Sequence, residues 1–135
     1  VASLTFEELR KANSKRVGLF KNKQGGLAHP TGGVFHWLLS QWTNALCGEA
    51  GESANFAKKI ERGDFPDTEE GRAAARDAIG KELADTVCYC DLAAQRAGID
   101  LGQYVTNKFN EVSTKQNLPV FLIPGSGEPA EQLPD

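Results

Sequence analysis

Two pairs of carboxylates stand where a helix would be expected to bury apolar side chains. In ALCGEAGES, residues 45–53, Glu49 and Glu52 interrupt a run of small and apolar residues, and in KELAD, residues 81–85, Glu82 and Asp85 repeat the spacing. Residues three apart share a helix face, so each pair presents two carboxyl groups to one side. An ionised carboxylate withdrawn from water without a partner is strongly unfavourable, and four brought together by two packed helices require cations. The donor set would be hard and all-oxygen. It suits Mg²⁺ or Mn²⁺, which keep several waters and take phosphate ligands, and the substrate class this favours is a metal-bridged triphosphate.

The elements that must carry these groups are helical. Alternating steps of four and three, the spacing of one packed face, give Leu38, Trp42, Ala45, Glu49, Glu52, Phe56, Lys59 in one segment. The next segment gives Ala75, Ala78, Glu82, Asp85, Tyr89, Leu92, and the last gives Leu101, Val105, Lys108, Val112. A single ExxE is usually surface charge; the second pair on the matching stripe is what sets this chain apart. A salt-bridge layer with Lys58, Lys59, Arg62 or Lys81 is the structural alternative, although those bases lie mostly off the carboxylate face.

Four helices are expected. Thr5 and Glu8 have capping-box spacing and open the first, residues 5–17. The Gly- and Pro-bearing segment KNKQGGLAHPTGG is a loop. The second helix runs from about Val34 to Arg62. Asp67 and Glu70 repeat the capping-box spacing ahead of a third helix, which stops at Gly98. Asp100 caps the fourth. The fold class is all-α, a single domain over residues 1–117 followed by an irregular tail over 118–135. Ala50 and Gly51 are expected to let the helices approach closely around shared ions.

The chain has 135 residues, 40% hydrophobic and 24% charged, with a net charge of −3. That composition favours neither disorder nor a membrane class, and no run is long and apolar enough to span a bilayer. VASLTFEELRK does not read as a secretory signal, so a cytoplasmic setting is expected. Cys47, Cys88 and Cys90 cannot all pair with one another and read as reduced core thiols; with only His29 and His36 to join them, a zinc site is disfavoured. Residues 1–30 hold six basic side chains, Arg10, Lys11, Lys15, Arg16, Lys21 and Lys23, against Glu7 and Glu8. This asymmetry reads as a solvated helix face rather than a nucleic-acid surface.

GEAGES, then ELADTVCYCDLAAQRAGIDL, then NKFNEVS resembles the MazG-like all-α nucleoside triphosphate pyrophosphatases, whose hallmark is ExxE followed after a gap by ExxD. The resemblance covers about Trp37 to Lys115. It implies a helical bundle assembled as a homo-oligomer, a dimer or tetramer, that binds Mg²⁺ through the acidic pairs and hydrolyses a nucleoside triphosphate to the monophosphate and pyrophosphate. Glu49, Glu52, Glu82 and Asp85 match the metal ligands, Tyr89 a position that contacts nucleotide, and Lys108 a lysine that contacts phosphate. Val112 stands where some relatives carry asparagine, with Asn110 nearby.

Within that frame Glu52 is the expected base toward water, and Lys108, helped by Lys58 or Lys59, the phosphate ligand. Phe35, His36, Trp37, Trp42, Asn44 and Tyr89 are the candidates for binding the base, although Trp42 and His36 are also read as packing residues. Leu39, Leu83, Val87, Leu101 and Phe109 are apolar positions left over for a second copy. The competing function is a non-catalytic helical module that binds nucleotide or nucleic acid.

Overall fold

The computed structural model describes residues 2–29 and 31–135. It contains four α-helices, α1 (Phe6–Arg16), α2 (Leu39–Glu61), α3 (Glu69–Ala97) and α4 (Leu101–Lys115), with short 3₁₀ turns at Val17–Leu19 and Gly33–His36. Among the described residues there are two isolated β-bridges and no strand. The chain divides into two compact units, Val1–Gly98 and Ile99–Asp135.

In the first unit α2 and α3 pack along one another and α1 packs on α3. Local chemistry sets the helix ends. Thr5 Oγ1 accepts from the Glu8 amide at 3.1 Å while Glu8 accepts from the Thr5 amide at 2.7 Å, which closes the capping box expected for α1. Gly98, in the left-handed region at φ 72°, ends α3. The start of α3 differs from expectation. Thr68, not Asp67, caps it by accepting from Gly71 at 3.0 Å, and Asp67 instead pairs with Arg72 at 2.6 Å.

The second helix also starts later than its sequence pattern. Val34 to His36 form the 3₁₀ turn, Trp37 is extended at φ −103° and ψ 153°, and α2 opens at Leu39. Tertiary donors explain the break. The Trp42 indole N–H donates to the Val34 carbonyl at 2.6 Å, and Arg96 Nε donates to the Trp37 carbonyl at 2.8 Å. A continuous helix would have used both carbonyls internally. Gln41 then accepts from the Leu38 amide at 2.8 Å, satisfying one of the orphan donors of the new helix start.

Trp42, 1% exposed, anchors a core of Val17, Val34, Leu92 and Ala93, against which Trp37 and Tyr89 pack. Truncating so buried an indole to alanine typically costs about 3–5 kcal/mol. The cysteines are all free, with Cys88 and Cys90 half-buried and Cys47 exposed rather than in the core. Gly51 is exposed, and a methyl group there would meet nothing within 4 Å. It does not mediate a close helix approach within the unit, contrary to expectation.

In the second unit Asp100 caps α4 by accepting from Gln103 at 3.1 Å. The segment after Asn117 folds back on this helix. Asn110 donates to the Leu122 carbonyl at 3.0 Å and accepts from its amide at 2.8 Å, and Phe121 bridges Ala130. Leu118–Asp135 is irregular but belongs to a compact unit. No helix among the described residues is long and apolar enough to cross a membrane.

A side chain is excluded at buried Gly71, where a Cβ would lie far inside van der Waals contact distance of the Pro66 carbonyl oxygen. Backbone cannot yield as a flexible side chain would. Gly71→Ala is therefore expected to destabilise the protein by about 2 kcal/mol or more, at the upper end of overpacking costs, read as a fall in the urea midpoint.

Candidate functional site

The carboxylates converge because α2 and α3 run side by side. One oxygen each from Glu49, Glu82 and Asp85 lies within 4.8 Å of the others. Glu49 and Glu82 are half-buried and Asp85 is exposed. Glu52, one turn further along α2, is exposed and outside this triangle. Its charge still reaches the cluster. The Glu49 carboxyl is held above its ordinary pKa first by partial burial, then by the charges of Asp85, Glu52 and Glu82.

Among the described residues no ion pair involves any of the four acids. Lys81 pairs with Asp77 at 2.8 Å, Arg62 with Asp64 at 2.6 Å, and Lys59 Nζ sits 4.7 Å from the Phe56 ring centroid. Among the described residues the structural salt-bridge layer is therefore absent.

Beside the acids lies a cleft of about 440 Å³, whose lining includes Glu49, Asp85, Arg16, Tyr89, Trp37, Trp42 and His29. Tilted and edge-on ring contacts build its aromatic wall. Trp37 and Trp42 have centroids 4.5 Å apart, His29 packs edge-on to Trp37 at 4.9 Å, and Tyr89 lies 6.2 Å from Trp42. Burial, followed by the charges of Glu49 and Asp85, raises the Tyr89 pKa, so its hydroxyl stays protonated as a donor at neutral pH.

His29, 6% exposed, was absent from the sequence candidates for this pocket. Its Nδ1 is buried without a hydrogen-bond partner among the described residues. Such an atom in an open cleft is a place for a polar ligand group. The loop position of His29 hid it, since no periodicity marks a loop residue as buried. Arg16 was also overlooked, read with the solvated basic face of α1. A basic residue closing a helix just before a glycine-bearing loop was the available signal.

Within the first unit, three other sequence candidates lie off the lining of this cleft. His36 is exposed and touches the group only through His29, at 5.5 Å between ring centroids. Phe35 is exposed beneath the Arg96 guanidinium, 5.2 Å from it. Asn44 is exposed on α2. Lys108 and Asn110 lie in the second unit, Lys108 bonded to Glu111 at 2.9 Å and Asn110 to both polar groups of the Leu122 backbone.

The geometry permits a definite chemistry. Oxygens sharing one octahedral Mg²⁺ at ~2.1 Å are about 3 to 4.2 Å apart, so three acids already within 4.8 Å need only a small closure to hold one ion. No protein family, curated protein or solved structure matches the chain.

Desolvation first, and the neighbouring His36 second, lower the pKa of His29. A histidine whose folded pKa lies below its unfolded value stabilises the fold fully above the unfolded value, and that contribution is lost as pH falls through the folded one. The protein is expected to melt at a lower temperature at pH 5 than at pH 7.5. A His29→Leu variant should lose the part of that difference due to this residue; an identical pH slope in the variant counts against the assignment.

Proposed function

We propose that the protein hydrolyses a nucleoside or deoxynucleoside triphosphate to the monophosphate and pyrophosphate in a Mg²⁺- or Mn²⁺-dependent reaction, as a house-cleaning activity on the nucleotide pool. The observation that carries the reading is the convergence of Glu49, Glu82 and Asp85, unneutralised, on the edge of an aromatic cleft. The sequence resemblance to the MazG-like pyrophosphatases points the same way. Three free cysteines fit the reducing setting of a cytoplasmic enzyme.

Glu49, Glu82 and Asp85 would hold the metal, with Glu52 beside them. When bound, such an ion neutralises charge on a phosphoryl group and lowers the pKa of water. Glu52, exposed and outside the triangle, keeps a free carboxylate to orient a water or take its proton. The Trp37 and Tyr89 rings supply stacking surface for a base. Trp42 backs them but has its indole N–H committed to Val34, so it offers surface and no hydrogen bond. Lys108 enters as a phosphate ligand from the resemblance.

Pyrophosphate release from a panel of standard and modified nucleoside triphosphates tests the reading. Turnover should vanish on chelation and return with Mg²⁺. Glu49→Gln and Asp85→Asn should each lower kcat on the order of 100-fold or more, the scale of losing one preorganised electrostatic contact. Activity that survives chelation, or that these variants leave intact, contradicts it. Salt-sensitive nucleic-acid binding without turnover would instead favour a non-catalytic binding module.

The reading includes a homo-oligomer, dimer or tetramer. Its support is apolar surface left uncovered: Leu39, Leu83 and Val87 in the first unit and Phe109 in the second are each more than 40% exposed. In the second unit Leu101, Val105, Phe109 and Val112 of α4 also line an apolar groove of about 690 Å³ with Tyr104 and Leu118. Light scattering at micromolar concentration should return a multiple of 14.6 kDa. A monomer contradicts the assembly.

A further inference from the structure

The cleft also carries a cation that the acidic motifs do not account for. Among the described residues Arg16 is the only lysine or arginine lining it. None of the ion pairs in the described residues involves Arg16. Its Nη2 donates to Asn13 Oδ1 at 3.2 Å, and the guanidinium lies 5.5 Å from the Phe20 ring centroid. An arginine offers five donors, so most of this fork is free of protein acceptors.

The placement is enforced from behind. Asn13, 2% exposed, donates through Nδ2 to Asp91 Oδ2 at 2.9 Å and to the Cys88 carbonyl at 3.2 Å. With the nitrogen side so engaged, the amide can turn only its oxygen to Arg16. Asp91, also 2% exposed, accepts a second bond from Gln95 Nε2 at 2.8 Å, and Gln95 in turn accepts from Ser14 at 2.8 Å. These bonds tie α1 to α3, the helix that carries Glu82 and Asp85. A buried polar network of this kind brings little net stability by itself but fixes one orientation.

We propose that Arg16 binds a phosphoryl oxygen of the triphosphate, with Asn13 and Asp91 as its positioning residues. This rests on the triphosphate reading above and adds the group that receives the anion directly. Planar, bidentate donors match phosphate oxygens better than any other side chain. The cleft then carries two complementary kinds of group, carboxylates for the cation and a guanidinium for the anion. The unpartnered nitrogen of buried His29 on the same cleft is independent evidence that a polar ligand belongs there. A purely structural alternative is that Arg16 serves only as a favourable charge in the last turn of α1.

The test compares wild type, Arg16→Ala, Arg16→Lys and Asn13→Ala by steady-state kinetics and by Trp fluorescence titration with inorganic tripolyphosphate and Mg²⁺. Circular-dichroism melting checks the fold. Arg16→Ala is expected to raise KM for the triphosphate and Kd for tripolyphosphate roughly 10- to 100-fold, the scale of one charge-assisted contact. Arg16→Lys should recover part of the loss, and Asn13→Ala should shift both constants in the same direction by less. A residue that only stabilises α1 would lower the melting temperature and leave KM and Kd alone. Unchanged KM and Kd in Arg16→Ala overturn the proposal and leave the hydrolase reading standing. A wild type without turnover sinks the hydrolase reading, and the titration then decides alone: about tenfold weaker tripolyphosphate binding in Arg16→Ala upholds the anion site, while equal binding, or none by the wild type, overturns it.

Discussion

Mutual repulsion among Glu49, Glu82 and Asp85 is the constraint around which the first unit is arranged. Their oxygens lie within 4.8 Å of one another, and no basic side chain among the described residues pairs with them. Partial burial first, and that repulsion second, raise the pKa of Glu49. Like charges so close would part unless something else fixed the backbones that carry them. The apolar packing of α2 along α3 does this, with core residues about two turns away, Trp42 on α2 and Leu92 and Ala93 on α3. Stability is thus drawn from one end of the helix pair and charge concentrated next to it.

Trp42 connects the two. Its ring fills the core, its indole N–H takes the Val34 carbonyl, and one edge of its stack with Trp37 and His29 faces the cleft. The helix must break before Leu39 for this to happen, because the Val34 carbonyl cannot serve both the indole and a continuous helix. The break in turn brings Trp37 against the cleft with its carbonyl held by Arg96. A departure from helical regularity is here the means by which an aromatic wall is set beside the acids.

The legible part of this structure was whatever depends on local spacing. The capping box at Thr5, the stop at Gly98, the cap at Asp100 and the facing of ExxE with ExxD all follow from residues three or four apart. The late start of α2 was not legible, since Val34 to Leu38 continue the apolar pattern and only distant donors on α2 and α3 interrupt it. His29 was missed because a loop gives no period from which burial can be read. Glu52 satisfies the spacing yet falls outside the triangle, since a share of a helix face does not fix how far a flexible side chain reaches. The small residues around Glu49 misled for a similar reason: a glycine on a helix reads equally as a close approach or as bare surface, and Gly51 is the latter.

The basic residues of the N-terminal helix read as a solvated face, and one of them, Arg16, is exposed and also lines the cleft. Lys11 pairs with Glu7 at 3.0 Å across one turn, with both side chains well exposed, the ordinary behaviour of a solvated face. Arg16 belongs to the same basic cluster by sequence but sits where α1 meets the cleft, beside a buried asparagine. What separates them is the residue one turn earlier. Glu7 precedes Lys11 by four and offers a charge at the surface, whereas Asn13 precedes Arg16 by three and offers a neutral oxygen anchored to Asp91 in the interior. A neutral anchor aims the guanidinium without cancelling its charge, which a carboxylate in that place would have done. The α1 to α3 hydrogen bonds around Asn13 and Asp91 thus hold Arg16 on the cleft that Glu49 and Asp85 also line, with no ion pair between them among the described residues.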